Sequence, residues 1–244
     1  MDNLPNVLPN YLAGLSKDEI MVRLSKLTDQ EIQQLSMATA VEEVKKAKDD
    51  LFYYLTHMVF TQDEHDSTSP IKPLPIDKEY LQDLAWLFLN EPLLLVEKSR
   101  QMLVTWIMVA CHLWDGQFHE GRRIFFQSKK EKDANALVDR AKFIYNHYPE
   151  PYATVLYTLY PATQSYLRLQ FGKQSSIIEG VPQGADQIRM YTASRIFSDE
   201  MAFQDKAEEA FIAAKPTIVG GGSFCGVSTP NFKNFFYLLK SDEV

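Results

Sequence analysis

Three short segments of this chain place residues that can handle a transferable phosphoryl group directly after apolar runs. The first, Glu97-Lys98-Ser99-Arg100-Gln101-Met102-Leu103-Val104-Thr105, follows Leu93-Leu94-Leu95-Val96. It offers an ammonium at Lys98 and a hydroxyl at Thr105. A helix starting there would add its free amides and the positive end of its dipole, which favour an anion. The second segment, Asp199-Glu200, follows Arg195-Ile196-Phe197-Ser198. Adjacent carboxylates at a strand end can divide two tasks, with Asp199 holding Mg²⁺ through water and Glu200 orienting and deprotonating an attacking water. The third, Gly226-Val227-Ser228-Thr229-Pro230-Asn231, again follows an apolar run. Its small hydroxyl residues suit a sensor of the terminal phosphate; read alone, they are an ordinary Ser/Thr/Pro turn.

The usual phosphate loop, G-x-x-x-x-G-K-[ST], uses glycine for close backbone approach, lysine to reach the β and γ oxygens and a hydroxyl for Mg²⁺. Aligned on that frame, Thr105 keeps the hydroxyl, while Leu103 stands at the second glycine and Val104 at the lysine. Leucine narrows the φ range that glycine would allow. Lys98, at the first position of the loop, is then the residue expected to supply the ammonium from the opposite side of the phosphates.

The elements that must position these groups alternate. An amphipathic stretch from Lys78 to Leu89 predicts a helix, Leu93–Val96 a buried strand, and Thr105–Gly116 a second helix. Arg123–Gln127 reads as a strand and the segment from Lys130 to Tyr145 as a helix. Ser165–Phe171 and Ser175–Val181 read as a hairpin around Gly172, and Arg195–Ser198 and Ser223–Ser228 as further strands. Strands alternating with helices predict an α/β fold with a mostly parallel sheet covered on both faces, whose ligand site lies at the carboxyl ends of the strands. Upstream, Ser16-Lys17-Asp18-Glu19 and Thr28-Asp29-Gln30-Glu31 are capping-box patterns that start helices. Residues 1–66 are therefore expected to form a helical N-terminal appendage, the proline-bearing stretch 67–76 a linker, and residues 77–244 the main domain.

Composition sets limits. Of 244 residues, 45% are hydrophobic and 23% charged, so a sizeable core is within reach. No run nears the roughly 20 apolar residues that span a bilayer, and the N-terminal segment MDNLPNVLPNYLAG lacks the basic and apolar regions of a secretory signal. A net charge of −7 argues against gripping nucleic acid by bulk electrostatics, leaving room for a local patch. Cys111 and Cys225, each in an apolar run, are expected as buried thiols. The scattered histidines predict no structural zinc.

Taken in order, KSRQMLVTW, GADQIRMYTASRIFSDEMAF and GVSTPN resemble the ATPase domain of tailed-bacteriophage large terminase subunits, over about residues 75–235. In that family the loop commonly reads Arg-Gln-x-Gly-Lys-[Ser/Thr], which Arg100, Gln101 and Thr105 match, and some members place the lysine at the loop's start, as Lys98 is placed. Asp199, Glu200, Ala202 and Phe203 match Asp-Glu-x-Ala-Phe, and Ser228-Thr229-Pro230 match the coupling motif. The resemblance implies an ASCE-type P-loop NTPase fold that hydrolyses ATP with Mg²⁺ to drive double-stranded viral DNA into a procapsid in the host cytoplasm. The implied partners are the portal protein, the procapsid, a small terminase subunit and further copies in a ring. It implies that Lys98, Ser99, Arg100, Gln101, Met102, Leu103, Val104 and Thr105 bind nucleotide, Thr105 and Asp199 the metal, and that Glu200 is the base. It also implies an arginine finger, with Arg140 the first candidate and Arg100 and Arg189 next. Tyr80 and Gln82 are expected beside the adenine, and Trp86 in the core rather than stacked on the base. The family's nuclease domain has no counterpart in this sequence. Two other readings stay open: a helicase-like ATPase, and a non-catalytic assembly module with a degenerate loop.

Overall fold

The computed structural model describes residue 14, residues 16–183, residue 188 and residues 191–241. Arg189, most of the stretch from Gly184 to Met190, and Asp242-Glu243-Val244 lie outside the described residues.

The chain enters through three helices, α1 (Lys17–Leu24), α2 (Asp29–Asp49) and α3 (Leu51–His57). Both expected capping boxes form: the Ser16 amide donates to Glu19 Oε2 at 2.8 Å, and the Thr28 amide to Glu31 Oε2 at 2.8 Å. A short hairpin follows, β1 (Phe60–Gln62) antiparallel to β2 (Ile71–Pro73). Next come α4 (Glu79–Asn90), β3 (Leu93–Glu97), α5 (Val104–Phe118), β4 (Arg123–Ser128), α6 (Glu131–Asn146) and α7 (Tyr152–Leu159). The strands β5 (Ala162–Ser165), β6 (Arg168–Phe171), β7 (Ser176–Pro182) and β8 (Arg195–Asp199) come after them, then a single 3₁₀ turn at Met201–Phe203. The last described elements are α8 (Ala207–Val219), β9 (Ser223–Ser228) and α9 (Phe235–Lys240).

Seven strands form one sheet in the order β3-β9-β8-β4-β7-β6-β5. The first five run parallel, and β7, β6 and β5 turn back as an antiparallel meander. The parallel strands β4, β7, β8 and β9 are buried on both faces, and alternate residues serve opposite sides. Phe126, Phe197 and Cys225 face the core closed by α4, α5 and α6, whereas Phe125, Ile196 and Phe224 face the smaller core under α8. Cys111 and Cys225 are free and buried, and burial pushes both thiols up, away from reactive thiolate.

Packing does not divide where the expected boundary falls. Ala40, Val44 and Ala47 of α2, with Leu51, Tyr54 and Leu55 of α3, belong to the same core as α5 and the sheet. The Trp114 indole donates to the Ala47 carbonyl at 2.8 Å, and the Tyr54 and Tyr148 hydroxyls meet at 3.0 Å. The stretch expected as a linker, 67–76, contains β2. Its polar neighbours look unstructured in sequence but fold as the loop of a hairpin.

His112 is fully buried on α5, stacked on Phe197 with centroids 5.3 Å apart and edge-on to Phe88. Its Nδ1 lies 2.7 Å from the Met108 carbonyl and must carry the donated proton. Burial, aided by the Arg195 charge, lowers its pKa to about 3. The imidazole is therefore neutral in the fold but gains a proton near pH 6.5 when unfolded. The stability this difference contributes is present above pH 6.5 and is lost as pH falls from there towards 3. Between pH 7 and pH 4 the loss amounts to about 3 kcal/mol. Urea unfolding at the two pH values should therefore show a smaller drop for His112→Leu than for wild type; equal drops would mean that His112 does not carry the acid limb.

Candidate nucleotide site at the strand ends

All three predicted segments emerge at the same edge of the sheet, the carboxyl ends of β3, β8 and β9. Pairing is continuous to that edge: Glu97 is in register with Ser228, and Asp199 with Val227. The Lys98 amide then donates to the Ser228 carbonyl at 3.0 Å, carrying the β3–β9 ladder one step into the loop.

Between Lys98 and Val104 the backbone turns sharply. Gln101 and Leu103 adopt left-handed conformations, with φ of 62° and 57°. Leu103 is the residue just before the first turn of α5, and no side-chain cap serves that helix end. The left-handed turn for which glycine is usual is thus kept, with leucine bearing the strain of about 1–2 kcal/mol that a Cβ costs there. Tyr80 pins the loop by donating its hydroxyl to the Met102 carbonyl at 3.1 Å. Val104 is 4% exposed and packs into the main core, so a lysine in its place would not be a simple surface change.

The Lys98 ammonium lies 2.8 Å from Glu200 Oε1, and its side chain is only 10% exposed. Glu200 Oε2 accepts from the Thr229 hydroxyl at 3.2 Å and from the Thr229 amide at 3.4 Å. One carboxylate therefore ties the β3 loop to the β9 loop. Glu200 itself sits at φ 50°, a left-handed position that a non-glycine residue holds only when its surroundings fix it. The Thr105 hydroxyl donates to both Asp199 carboxylate oxygens, at 3.3 and 3.2 Å.

These contacts set the electrostatics. Burial is the largest influence on Asp199 and raises its pKa, against the pull of Lys98 and Arg140 and with a push from Glu200. Burial also raises Glu200, but the Lys98 ammonium and the Thr229 hydrogen bonds outweigh it, so that carboxyl titrates below its usual range.

Further bonds brace the site from behind, and two of the residues that make them, Gln204 and Asn234, carry no role in the sequence reading. Gln204 donates its amide to the Asp199 carbonyl and the Ser198 hydroxyl, each at 2.9 Å. The Ala202 amide donates to the Ser228 hydroxyl at 3.1 Å, and the Asn231 and Asn234 amides both donate to the Ala202 carbonyl. A polar side chain a few residues beyond each strand end was the available signal. Ser228 is thus fully buried and structural in its bonding, and Thr229 is the member of the triplet that reaches Glu200.

In front of the loop lies a cleft of about 590 Å³, lined by Lys98, Gln101–Trp106, Arg140 and the β1–β2 hairpin. Arg140 is on α6 with its guanidinium 5.7 Å from the Trp106 ring centroid. Ser99, Arg100, Gln82, Asp199, Glu200 and Thr229 do not line the cleft. Gln82 instead donates its amide to the Ile76 carbonyl at 2.9 Å. Trp86, expected in the core, is 52% exposed on the outer side of α4.

The donor set fits Mg²⁺. The hydroxyl of Thr105 directly on the Asp199 carboxylate is the oxygen pair a hard cation takes, with water and phosphate supplying its other ligands. Among the described residues no group of three or more His, Cys, Asp or Glu side chains converges to hold a metal.

In this sheet the loop-bearing strand β3 and the carboxylate-bearing strand β8 are separated by one strand, β9, and all three loops share one edge. That arrangement defines a P-loop NTPase fold of the ASCE type. No protein-family model matches the chain, and no curated protein is similar to it in sequence. Among solved structures it is similar to the large terminase of bacteriophage HK97, with a TM-score of 0.57 and 14% identity over 79% of this chain and 40% of that one. A large terminase from a thermophilic bacteriophage is similar at a TM-score of 0.49 and 16% identity, over 68% of this chain and 42% of that one. The same terminase in complex with ADP gives a TM-score of 0.46 at 15% identity, over 68% and 42% of the two chains. The chain shares the fold of part of the HK97 large terminase and spans about two fifths of that protein's length.

Proposed function

We propose that this chain is the ATP-hydrolysing motor domain of a DNA-packaging terminase, using Mg²⁺·ATP to drive double-stranded viral DNA into a procapsid. The observation that carries the reading is the convergence of Lys98, Glu200, Thr105, Asp199 and Thr229 at one sheet edge through contacts of 2.8–3.4 Å. These residues come from three separate segments of the sequence, and a purely structural module has no need to bury an ammonium beside two carboxylates.

In this reading the loop from Lys98 to Thr105 faces the triphosphate, and the Lys98 ammonium leaves Glu200 to neutralise phosphate oxygens. Thr105 and Asp199 hold Mg²⁺, which when bound screens the charge of the phosphates. Glu200 orients the attacking water and accepts its proton. Thr229, bonded to Glu200, links the state of the phosphate to the β9 loop and so to α9. Arg140, whose charge already reaches Asp199, faces the cleft from α6 and is placed to stabilise charge developing on the transferred group. The fold supports portal protein, procapsid, small terminase subunit and further copies of the chain as its partners only by likeness, and the host cytoplasm is where they would meet.

Phosphate release from ATP tests the reading. Hydrolysis should require Mg²⁺, stop on addition of excess EDTA and return when Mg²⁺ is restored in excess of the chelator. Turnover unchanged by chelation would remove Thr105 and Asp199 from the site.

A further inference from the structure

Resting on the nucleotide reading above, we propose that the loop of the β1–β2 hairpin is the ribose-binding wall of the cleft, with the Glu64 carboxylate accepting hydrogen bonds from the sugar hydroxyls. The cleft has two unlike walls. One is Lys98 with Gln101–Trp106 and Arg140; the other is Thr61–His65 with Lys72, Pro73 and Pro75. At about 590 Å³ the cleft is of the size that encloses a whole small ligand rather than a phosphate tail alone.

The hairpin wall is braced before any ligand arrives. Lys72 bridges Asp63 and Asp66 at 2.9 Å each. Asp66 also accepts from the Thr68 and Ser69 amides, and Asp63 from the His65 amide, all at 3.0 Å. The Lys72 hydrogen bond is the largest influence on both carboxyls, lowering Asp63 and bringing Asp66 to about 2, so all three groups stay charged and paired. Glu64, between them, makes no ion pair or hydrogen bond among the described residues and faces the cleft wall exposed.

Charge and hydrogen-bond chemistry then orient the ligand. A triphosphate is repelled by a free carboxylate and drawn to Lys98, so the end of the ligand at Glu64 is the uncharged one. An ionised carboxylate only accepts hydrogen bonds, and ribose hydroxyls are donors; dinucleotide-binding folds hold the ribose with the same group.

Calorimetric titrations of Mg²⁺·ATP and Mg²⁺·tripolyphosphate into wild type, Glu64→Ala, Glu64→Gln and Lys98→Ala test this. Glu64→Ala should weaken ATP about 10-fold, the worth of one hydrogen bond to a charged group, and leave tripolyphosphate unchanged. Glu64→Gln, which keeps one acceptor oxygen, should fall between. Lys98→Ala should weaken both ligands. If Glu64→Ala binds ATP as wild type does while Lys98→Ala weakens both, the ribose wall is refuted and the nucleotide reading stands. An equal loss of both ligands in Glu64→Ala also overturns the wall, since tripolyphosphate has no sugar. Absence of any binding by folded wild type overturns the wall and the nucleotide reading together.

Discussion

Glu200→Gln is expected to lower ATP turnover by about 10²–10⁴-fold, the usual contribution of a positioned general base, while nucleotide binding persists. The amide keeps the size of the side chain and can still accept from Thr229, whose hydroxyl and amide lie 3.2 and 3.4 Å from Oε2 in the native protein. It cannot take a proton from water. It also loses the ion pair with Lys98, which in the ligand-free protein holds the ammonium 2.8 Å from Oε1. Release of that ammonium means phosphate no longer has to compete with Glu200 for it. Affinity for ATP should accordingly be unchanged or somewhat higher as turnover collapses. Comparing single-turnover phosphate release with equilibrium binding separates the two effects. Loss of binding in step with turnover would show that Glu200 builds the pocket rather than acting on water.

Asp115→Ala is expected to destabilise the fold by about 3–5 kcal/mol, the range for stripping one partner from a buried ion pair. Asp115, 2% exposed on α5, receives the Arg195 guanidinium at 2.8 Å and lies 3.3 Å from Arg122. Arg195 also donates to the Ser223 hydroxyl at 2.9 Å and sits 4.2 Å from the Phe88 ring centroid. This cluster joins α4, α5, β8 and β9 at the end of the sheet opposite the cleft. Arg195 opens the strand that ends in Asp199, so the cost should appear as global unfolding rather than local fraying. The double variant Asp115→Leu with Arg195→Met should recover part of the loss, because the two most buried charges go together and Arg122, which loses its partner, has a side chain 38% exposed. Urea unfolding midpoints measure both. As a control, Lys45→Ala breaks only the exposed pair with Glu42 and should stay within about 0.5 kcal/mol.

The parallel sheet was legible because buried strands such as Ile124-Phe125-Phe126 are short apolar runs bounded by turn residues, and the helices between them carry their own period. The α4 stripe illustrates both the strength and the misuse of that signal. Leu81, Leu84, Ala85 and Phe88 are buried at helical spacing, and Trp86 falls off the stripe, so its exposure was readable from position though not from residue type. The carboxylates were legible because Asp199 and Glu200 directly end a strand. Leu103 was harder. Its side chain argues against a tight phosphate loop, and only the backbone reveals that the left-handed turn survives the substitution. The β1–β2 hairpin was not legible, since each strand is three residues long and its loop is polar throughout. What orders it is the pairing of Lys72 with two aspartates, a tertiary choice that composition does not announce. Likewise α8, with Pro216 inside it, gave no clear start or stop.

Whether Lys98 does the work that Val104 has given up decides how this site holds a triphosphate. The most direct test is the affinity of a non-hydrolysable ATP analogue with Mg²⁺, measured by calorimetry for wild type and Lys98→Ala. A hydrogen bond between an ammonium and phosphate is worth about 1.5–3 kcal/mol, so the proposed role of Lys98 predicts a loss of roughly 10- to 100-fold in variant protein that is still folded. Wild-type affinity in folded Lys98→Ala would contradict it.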